Sequence, residues 1–314
     1  MAILQSRQNK IHEKMRNRTM KLTEQNLSKM QNIIKEHQFE HAADYLIEHT
    51  RQGVRLSKKK LEDYAESNNS RFGGDPDLPE EVEWPLNSEG TPMTFLAQLQ
   101  LKDVAAQDAT RSLPTSGMLY FFVGVDEPAY NIEHRVLYLP EGHSTAAVRR
   151  RAPEETALDE VFTGYRMEAR ATLEPPNYGY VDVELIENDE HDYESYEELC
   201  FQLTELDSGD IGTLFGYPST QHGDCEFEAA LMLLTGSEYN YSMDAAMQQI
   251  AKHCGGSMER AQQEIHDTML LLAVDSDDDV GFCWWDAGEL QFFIRKEDLL
   301  VNNFEHTYCS LYSS

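Results

Sequence analysis

Residues 117–123 read Gly-Met-Leu-Tyr-Phe-Phe-Val, and residues 288–294 read Gly-Glu-Leu-Gln-Phe-Phe-Ile. Each is a short aliphatic and aromatic run opened by a glycine, the texture of a buried strand. Superposed on their glycines, the two share Gly-x-Leu-x-Phe-Phe. Upstream of each lies another apolar run, Phe95 to Leu101 before the first and Met269 to Asp275 before the second. Two related strand pairs imply an internal duplication or a pair of pseudo-symmetric sheets.

Working outward, Val136-Leu137-Tyr138-Leu139 reads as a further strand, and Tyr178 to Glu187 alternates apolar with polar residues as a half-exposed strand does. Tyr193 to Leu203 has helical spacing. So has Ser242 to Thr268, where Gly255-Gly256 should end one helix before the next begins. Near the start, Leu27, Met30, Ile33 and Ile34, then Phe39, Ala43, Leu46 and Ile47, recur at three- and four-residue intervals. Thr23 offers a hydroxyl to cap that segment. Arg71 to Pro79 is too rich in Gly and Pro for a helix or a central strand, so it is an ordered loop or a linker. The expected division is a helical N-terminal extension, residues 1–65, followed by a larger domain, residues 66–314.

Charge sharpens the division. The 314 residues carry 26 Lys+Arg and 56 Asp+Glu, a formal net charge of −30. Residues 1–60 hold 13 of the basic groups and only 6 of the acidic ones, which leaves 13 basic against 50 acidic in the remainder. The acid peaks in residues 152–210, where 18 Asp+Glu face only Arg166 and Arg170. Phosphate-backbone binding needs clustered Lys and Arg, so the acidic body is not a nucleic-acid binder. A large field of one sign steers an oppositely charged partner, which points to a basic protein. The basic N-terminal part reads as a helical lid, as an arm for an acidic partner, or as a segment that pairs with the protein's own acidic body. No run of about 20 apolar residues occurs, so no membrane span is expected. Five widely spaced cysteines, with no CxxC and no signal-peptide core, fit reduced thiols and a cytoplasmic location.

Several motifs together carry a resemblance. Phe72-Gly73-Gly74 leads to Pro76 and Leu78-Pro79; Gly90 to Pro92 is followed by Leu96-Ala97-Gln98; Gly117 to Phe121 is the first strand of the opening pair. Gly216-Tyr217-Pro218 runs to Thr220-Gln221, and Asp275 to Asp277, Trp284 to Gly288 and Phe292 to Ile294 close the series. In this order, over roughly residues 70–310, they are similar to the YwqG-like family, a bacterial domain-of-unknown-function family. The resemblance implies an α+β fold of mostly antiparallel sheets, and it implies no established activity, catalytic residue or cofactor. Some relatives resemble neighbours of polymorphic toxin systems. Two departures stand out: the family turn usually has Gly between Trp and Asp, where this chain has Trp285, and the end of the chain lacks a Trp-Asp-Cys close.

Candidate sites are few. Asp275, Asp277, Asp279 and Asp286 fall at positions 1, 3, 5 and 12 of a calcium-loop count, but position 6 is Val280, where that loop needs Gly. They are weak metal candidates, and tight calcium binding is not expected. His222, Cys225, His253 and Cys254 have the softness zinc needs but only one suitable spacing. Cys225 beside His222 is the sole neighbourhood suggesting a nucleophile, with no oxyanion-hole motif after it. No catalytic residue is assigned. Phe72, Trp84, Tyr217 and Trp284 lie on turn-rich segments, where large aromatics serve as buried plugs or as anchors for a partner. The expected function is therefore a non-catalytic protein-interaction protein. In its specific form it is an immunity-type inhibitor of a bacterial toxin, within a toxin-antitoxin system, or of another basic protein. The alternative is an enzyme or small-ligand-binding protein with a pocket between two related sheets.

Overall fold

In a computed structural model of the chain, residues 22–125, 129–142 and 148–313 are described. The chain divides into two compact units, each assembled from three separated stretches.

The first unit takes residues up to 53, 172–206 and 219–267. It is helical: α1 (Glu24–Glu36), α2 (Ala43–His49), α3 (Tyr193–Thr204), α4 (Cys225–Thr235), α5 (Met243–His253) and α6 (Met258–His266). The starts are capped where hydroxyl or carboxyl residues precede the apolar periodicity. Thr23 Oγ1 accepts from Asn26 N at 3.1 Å, Asp192 Oδ1 from Ser195 N at 3.0 Å, and Ser242 and Ser257 act alike. Gly255 and Gly256 take φ of +71° and +88°, which ends α5 and turns the chain into α6. Met30, Ile33, Ile34, Phe39 and Leu46 pack with Tyr196, Leu199 and Leu203 in one core, while α4, α5 and α6 share another around Phe227, Met247, Ile250 and Ile265.

The second unit takes residues 54–171, 207–218 and 268–314. Its strands are β1 (Arg51–Leu61), β2 (Arg71–Phe72), β3 (Asp77–Leu78), β4 (Thr94–Gln100), β5 (Met118–Val123), β6 (His134–Leu139), β7 (Val148–Arg149), β8 (Tyr165–Glu174), β9 (Asp210–Leu214), β10 (Thr268–Asp275), β11 (Glu289–Arg295) and β12 (Thr307–Tyr312). Ten of them form one sheet in the order β12-β11-β10-β9-β1-β8-β2-β4-β5-β6, and β3 pairs with β7 separately. The pairings with a defined register are antiparallel. The sheet curls until its ends meet: Ile132 N donates to Cys309 O at 2.9 Å, and Leu311 N donates to Ala129 O at 2.6 Å. A nearly closed barrel results, in an α+β protein.

The opening pair of sequences explains the interior. Leu119 and Phe121 of β5 and Leu290 and Phe292 of β11 turn to the same core, where the rings of Phe121 and Phe292 meet edge-to-face with centroids 5.2 Å apart. Tyr120 and Phe122 turn to the other face, as strand alternation requires. A Cβ on Gly117 would collide with Leu139 O at the end of β6, and one on Gly288 with Tyr312 O at the end of β12. Each glycine thus lets its strand pass a neighbour's terminal carbonyl. The two related strand pairs, β4–β5 and β10–β11, lie in one sheet.

Four sequence expectations change. Arg71 to Pro79 is not loop throughout: Arg71–Phe72 is β2, between β8 and β4 in the sheet, and Asp77–Leu78 is β3. The helical extension does not reach residue 65: α2 ends at His49 and β1 occupies Arg51–Leu61 in the middle of the sheet order. The apolar positions of that strand, with Val54 and Leu56 in the core, were obscured by its run of Lys58, Lys59 and Lys60. A boundary at residue 66 gives way to two interleaved units. Tyr178 to Glu187 is not a strand, because Asn177 O accepts from Tyr180 N and Val181 N, both at 2.9 Å, and a single helical turn, Val183–Ile186, follows.

Candidate functional site

The Gly/Pro loop at residues 71–79 is held by charge. Arg71 is wholly buried, with its guanidinium paired to Asp77 and 3.7 Å from Glu62, while Nη1 donates to Asp75 O at 2.8 Å. Gln98 Nε2 donates to Asp77 Oδ2 at 2.9 Å, and its Oε1 accepts from Asp77 N at 2.7 Å. Tyr64 lies against two guanidiniums, with Arg149 at 3.6 Å and Arg71 at 5.0 Å from its ring centroid. Burial pushes the Tyr120 phenol far up, and its hydroxyl donates to Asp77 O at 2.5 Å. Arg71, Asp77, Gln98 and Tyr120 are partnered with one another or with the backbone, so this constellation fixes the loop.

The aspartate hairpin between β10 and β11 behaves differently from a cation loop. Lys58 Nζ lies 2.6 Å from Asp277 and 2.6 Å from Asp279, with its ammonium 5.3 Å from the Tyr165 ring centroid. Burial alone would lower the Lys58 pKa, but the hydrogen bonds and charges of the two aspartates together raise it. Asp277 also caps the turn, accepting from Val280 N at 2.9 Å. Asp286 points to solvent, and Asp275 stands opposite Glu289 across β10–β11. The four aspartates therefore go three ways, and among the described residues no group of three or more His, Cys, Asp or Glu could hold a metal.

Asp275 is the group with unusual acidity. Burial and the neighbouring Glu289 carboxyl raise it to about 7, against the opposing pull of Arg55. A carboxyl pair of this kind shares a proton. Beside it, the buried Asp210 pairs with Arg170 at 2.5 Å and accepts from Ser57.

The other proposed chemistries do not assemble. Burial drives the Cys225 thiol well above its ordinary value, so it is no thiolate, while His222 is exposed. His253 is exposed and Cys254 buried, and all five cysteines are free.

The turn aromatics divide. Phe72 and Trp284 are buried plugs against Phe282, with ring centroids 6.0 and 5.2 Å from it, and this removes them as anchors. Trp84 is half-buried, donating from Nε1 to Met93 O at 2.8 Å, and Tyr217 is half-buried as well. The exposed aromatics among the described residues are others: Tyr130, Tyr178, Phe201, Tyr241 and Trp285. Turn location alone could not reveal this, because adjacent residues such as Trp284 and Trp285 point opposite ways.

Part of the acidic peak becomes a surface of the helical unit, while Glu154, Glu155, Asp159, Glu160 and Glu168 are exposed on the sheet unit. Glu184, Glu187, Asp189, Glu190, Glu194, Glu197 and Glu198 are all exposed, and none pairs with a cation among the described residues. On α3 they accompany exposed Phe201, and Tyr178 meets the Tyr193 ring at 5.4 Å. No helix among the described residues is long and apolar enough to cross a membrane.

Fold and site together define an α+β protein: a nearly closed antiparallel sheet joined to a helical unit that presents carboxylates. The chain belongs to the family described as a domain of unknown function (DUF1963), whose model matches residues 70–312. Comparison with curated proteins returned no match.

Proposed function

We propose that the protein is a non-catalytic interaction protein that binds a basic protein partner through the acidic face of its helical unit. The unpaired carboxylates between Glu184 and Glu198, with Phe201 and Tyr178 among them, support this reading. Carboxylates steer and register a basic surface, and the aromatics supply contact area. In its finer form the protein is a YwqG-like, cytoplasmic, immunity-type inhibitor whose acid covers the Lys and Arg of a toxin. The matched glycine strands further support an ancestral duplication of the sheet. Pulldown from the native host tests the proposal. A stoichiometric basic partner, released by salt and lost in a Glu194→Lys/Glu197→Lys/Glu198→Lys variant that still folds, is the expected result. Recovery of a lone monomer carrying a small molecule would sink it.

One observation favours the enzyme or ligand-binding alternative: the proton-sharing Asp275–Glu289 pair, since perturbed carboxyls gather at working sites. Under that reading Asp275→Asn abolishes turnover or binding of the host-derived small molecule while the fold persists.

A further inference from the structure

The exposed stripe of α3 carries Glu194, Glu197, Glu198 and Phe201, and runs on to Glu205 just past its last turn. Steps of three and four residues place these on one helix face. Like charges at that spacing destabilise a helix, and α3 contains no Lys or Arg of its own. One end of the stripe is already held by the N-terminal part of the chain. Lys29 of α1 puts Nζ 2.7 Å from Glu205 Oε1 and donates to Leu203 O at 3.4 Å, among the carbonyls that close α3. Toward the other end, Glu194, Glu197 and Glu198 pair with no described cation.

The Lys29 pair shows where further counter-charge can come from. Residues 1–21, outside the described residues, hold six Lys+Arg against Glu13 alone. Arg7, Lys10, Lys14, Arg18 and Lys21 recur at the same three- and four-residue intervals, with Ile11 and Met15 among them as apolar complements to the exposed Phe201. Leu22, which follows, packs on the core that Tyr196, Leu199 and Leu203 of α3 close, so this segment joins the helical unit beside that helix. Fully extended, 21 residues span up to about 70 Å, against about 18 Å for the 12 residues of α3, so reach is not limiting. A tethered segment meets the face at a millimolar effective concentration, well above that of a second copy. We infer that residues 1–21 are the resident cover of the α3 carboxylates, and that a basic partner binds by displacing them. The cover is independent of the proposed function; the displacement rests on its premise that the partner is basic.

Limited trypsin digestion of the full chain tests the cover, since cleavage after Lys10, Lys14 or Lys21 tracks the fraction of the arm that is released. The Glu194→Gln/Glu197→Gln/Glu198→Gln variant keeps every cleavage site and changes only exposed positions, so its fold is expected to persist. The expected result is arm cleavage roughly three- to tenfold faster in this variant at fixed low salt, at rates unchanged by protein dilution. Equal rates overturn the cover. Protection that fades on dilution assigns the contact to a second copy, and that also overturns it. A hexa-arginine peptide then separates the two claims: Lys10→Gln/Lys14→Gln/Arg18→Gln should bind it roughly three- to tenfold more tightly than the wild type. Equal affinity overturns the displacement. No binding by either protein overturns the basic-partner reading, while the cleavage comparison still decides the cover.

Discussion

The loop at residues 71–79 and the acidic stretch at residues 184–198 both draw on carboxylates, and they use them in opposite ways. In the loop, Asp77 and Glu62 are buried around Arg71, and removing one member strands the others without water. In the stretch, eight carboxylates face solvent without a described cation; apart from Asp192, which caps α3, each contributes little to stability and much to the surrounding field. The abundance of acid in this chain thus conceals two populations. One is part of the fold, and the other is left over for an encounter.

Substitutions can break that comparison, and the largest effect belongs to the loop. Arg71→Ala should cost about 3–5 kcal/mol in denaturant unfolding, because the buried Asp77 loses its counter-charge, whereas Glu62 keeps Arg166 at 3.4 Å. A loss below 1 kcal/mol would mean the network does not hold the loop. Lys58→Met should cost about 1–3 kcal/mol, since Asp277 is nearly buried and keeps only its backbone donors. Thermal melting of this variant with and without millimolar calcium adds a control: no calcium-dependent rise is expected, as the aspartates diverge.

Asp275 sharpens the comparison through pH. Its folded pKa lies near 7, above the unfolded value of 3.8, so the folded state holds a proton that the unfolded state releases. The contribution is complete below about pH 4 and is lost as pH rises through 7. Stability followed between pH 4 and 8 should therefore fall less steeply in Asp275→Asn than in the wild type. Identical slopes would remove the shared proton. The smallest effect belongs to the exposed face: Glu197→Gln should change stability by less than about 0.5 kcal/mol while weakening capture of a basic partner.

Much of this architecture was readable before any coordinates. Thr23, Gly255-Gly256 and the apolar spacing of Met30, Ile33 and Ile34 report local rules, and α1, α5 and α6 obey them. The glycine strands were equally plain, because Leu119/Phe121 and Leu290/Phe292 alternate with residues of the opposite face. What stayed hidden depends on distant partners. Lys58 reads as part of a basic arm until Asp277 is beside it, more than 200 residues later in the chain. Asp275 becomes unusual through its burial and the Glu289 carboxyl across the strand pair, and Trp285 through a backbone angle that no composition records.

The meeting of residues 129–132 with β12 carries a consequence for how the molecule is made. The barrel joins β5–β6 near the middle of the chain to a strand spanning Thr307–Tyr312, so closure waits until nearly all the described sequence has been synthesised. Until then two strand edges lie open, and such edges invite pairing with other nascent chains. Long-range closure of this kind is also slow. A chain truncated before Thr307 would keep its local helices yet lack the last stave, and polysome-bound or truncated forms should be the aggregation-prone ones.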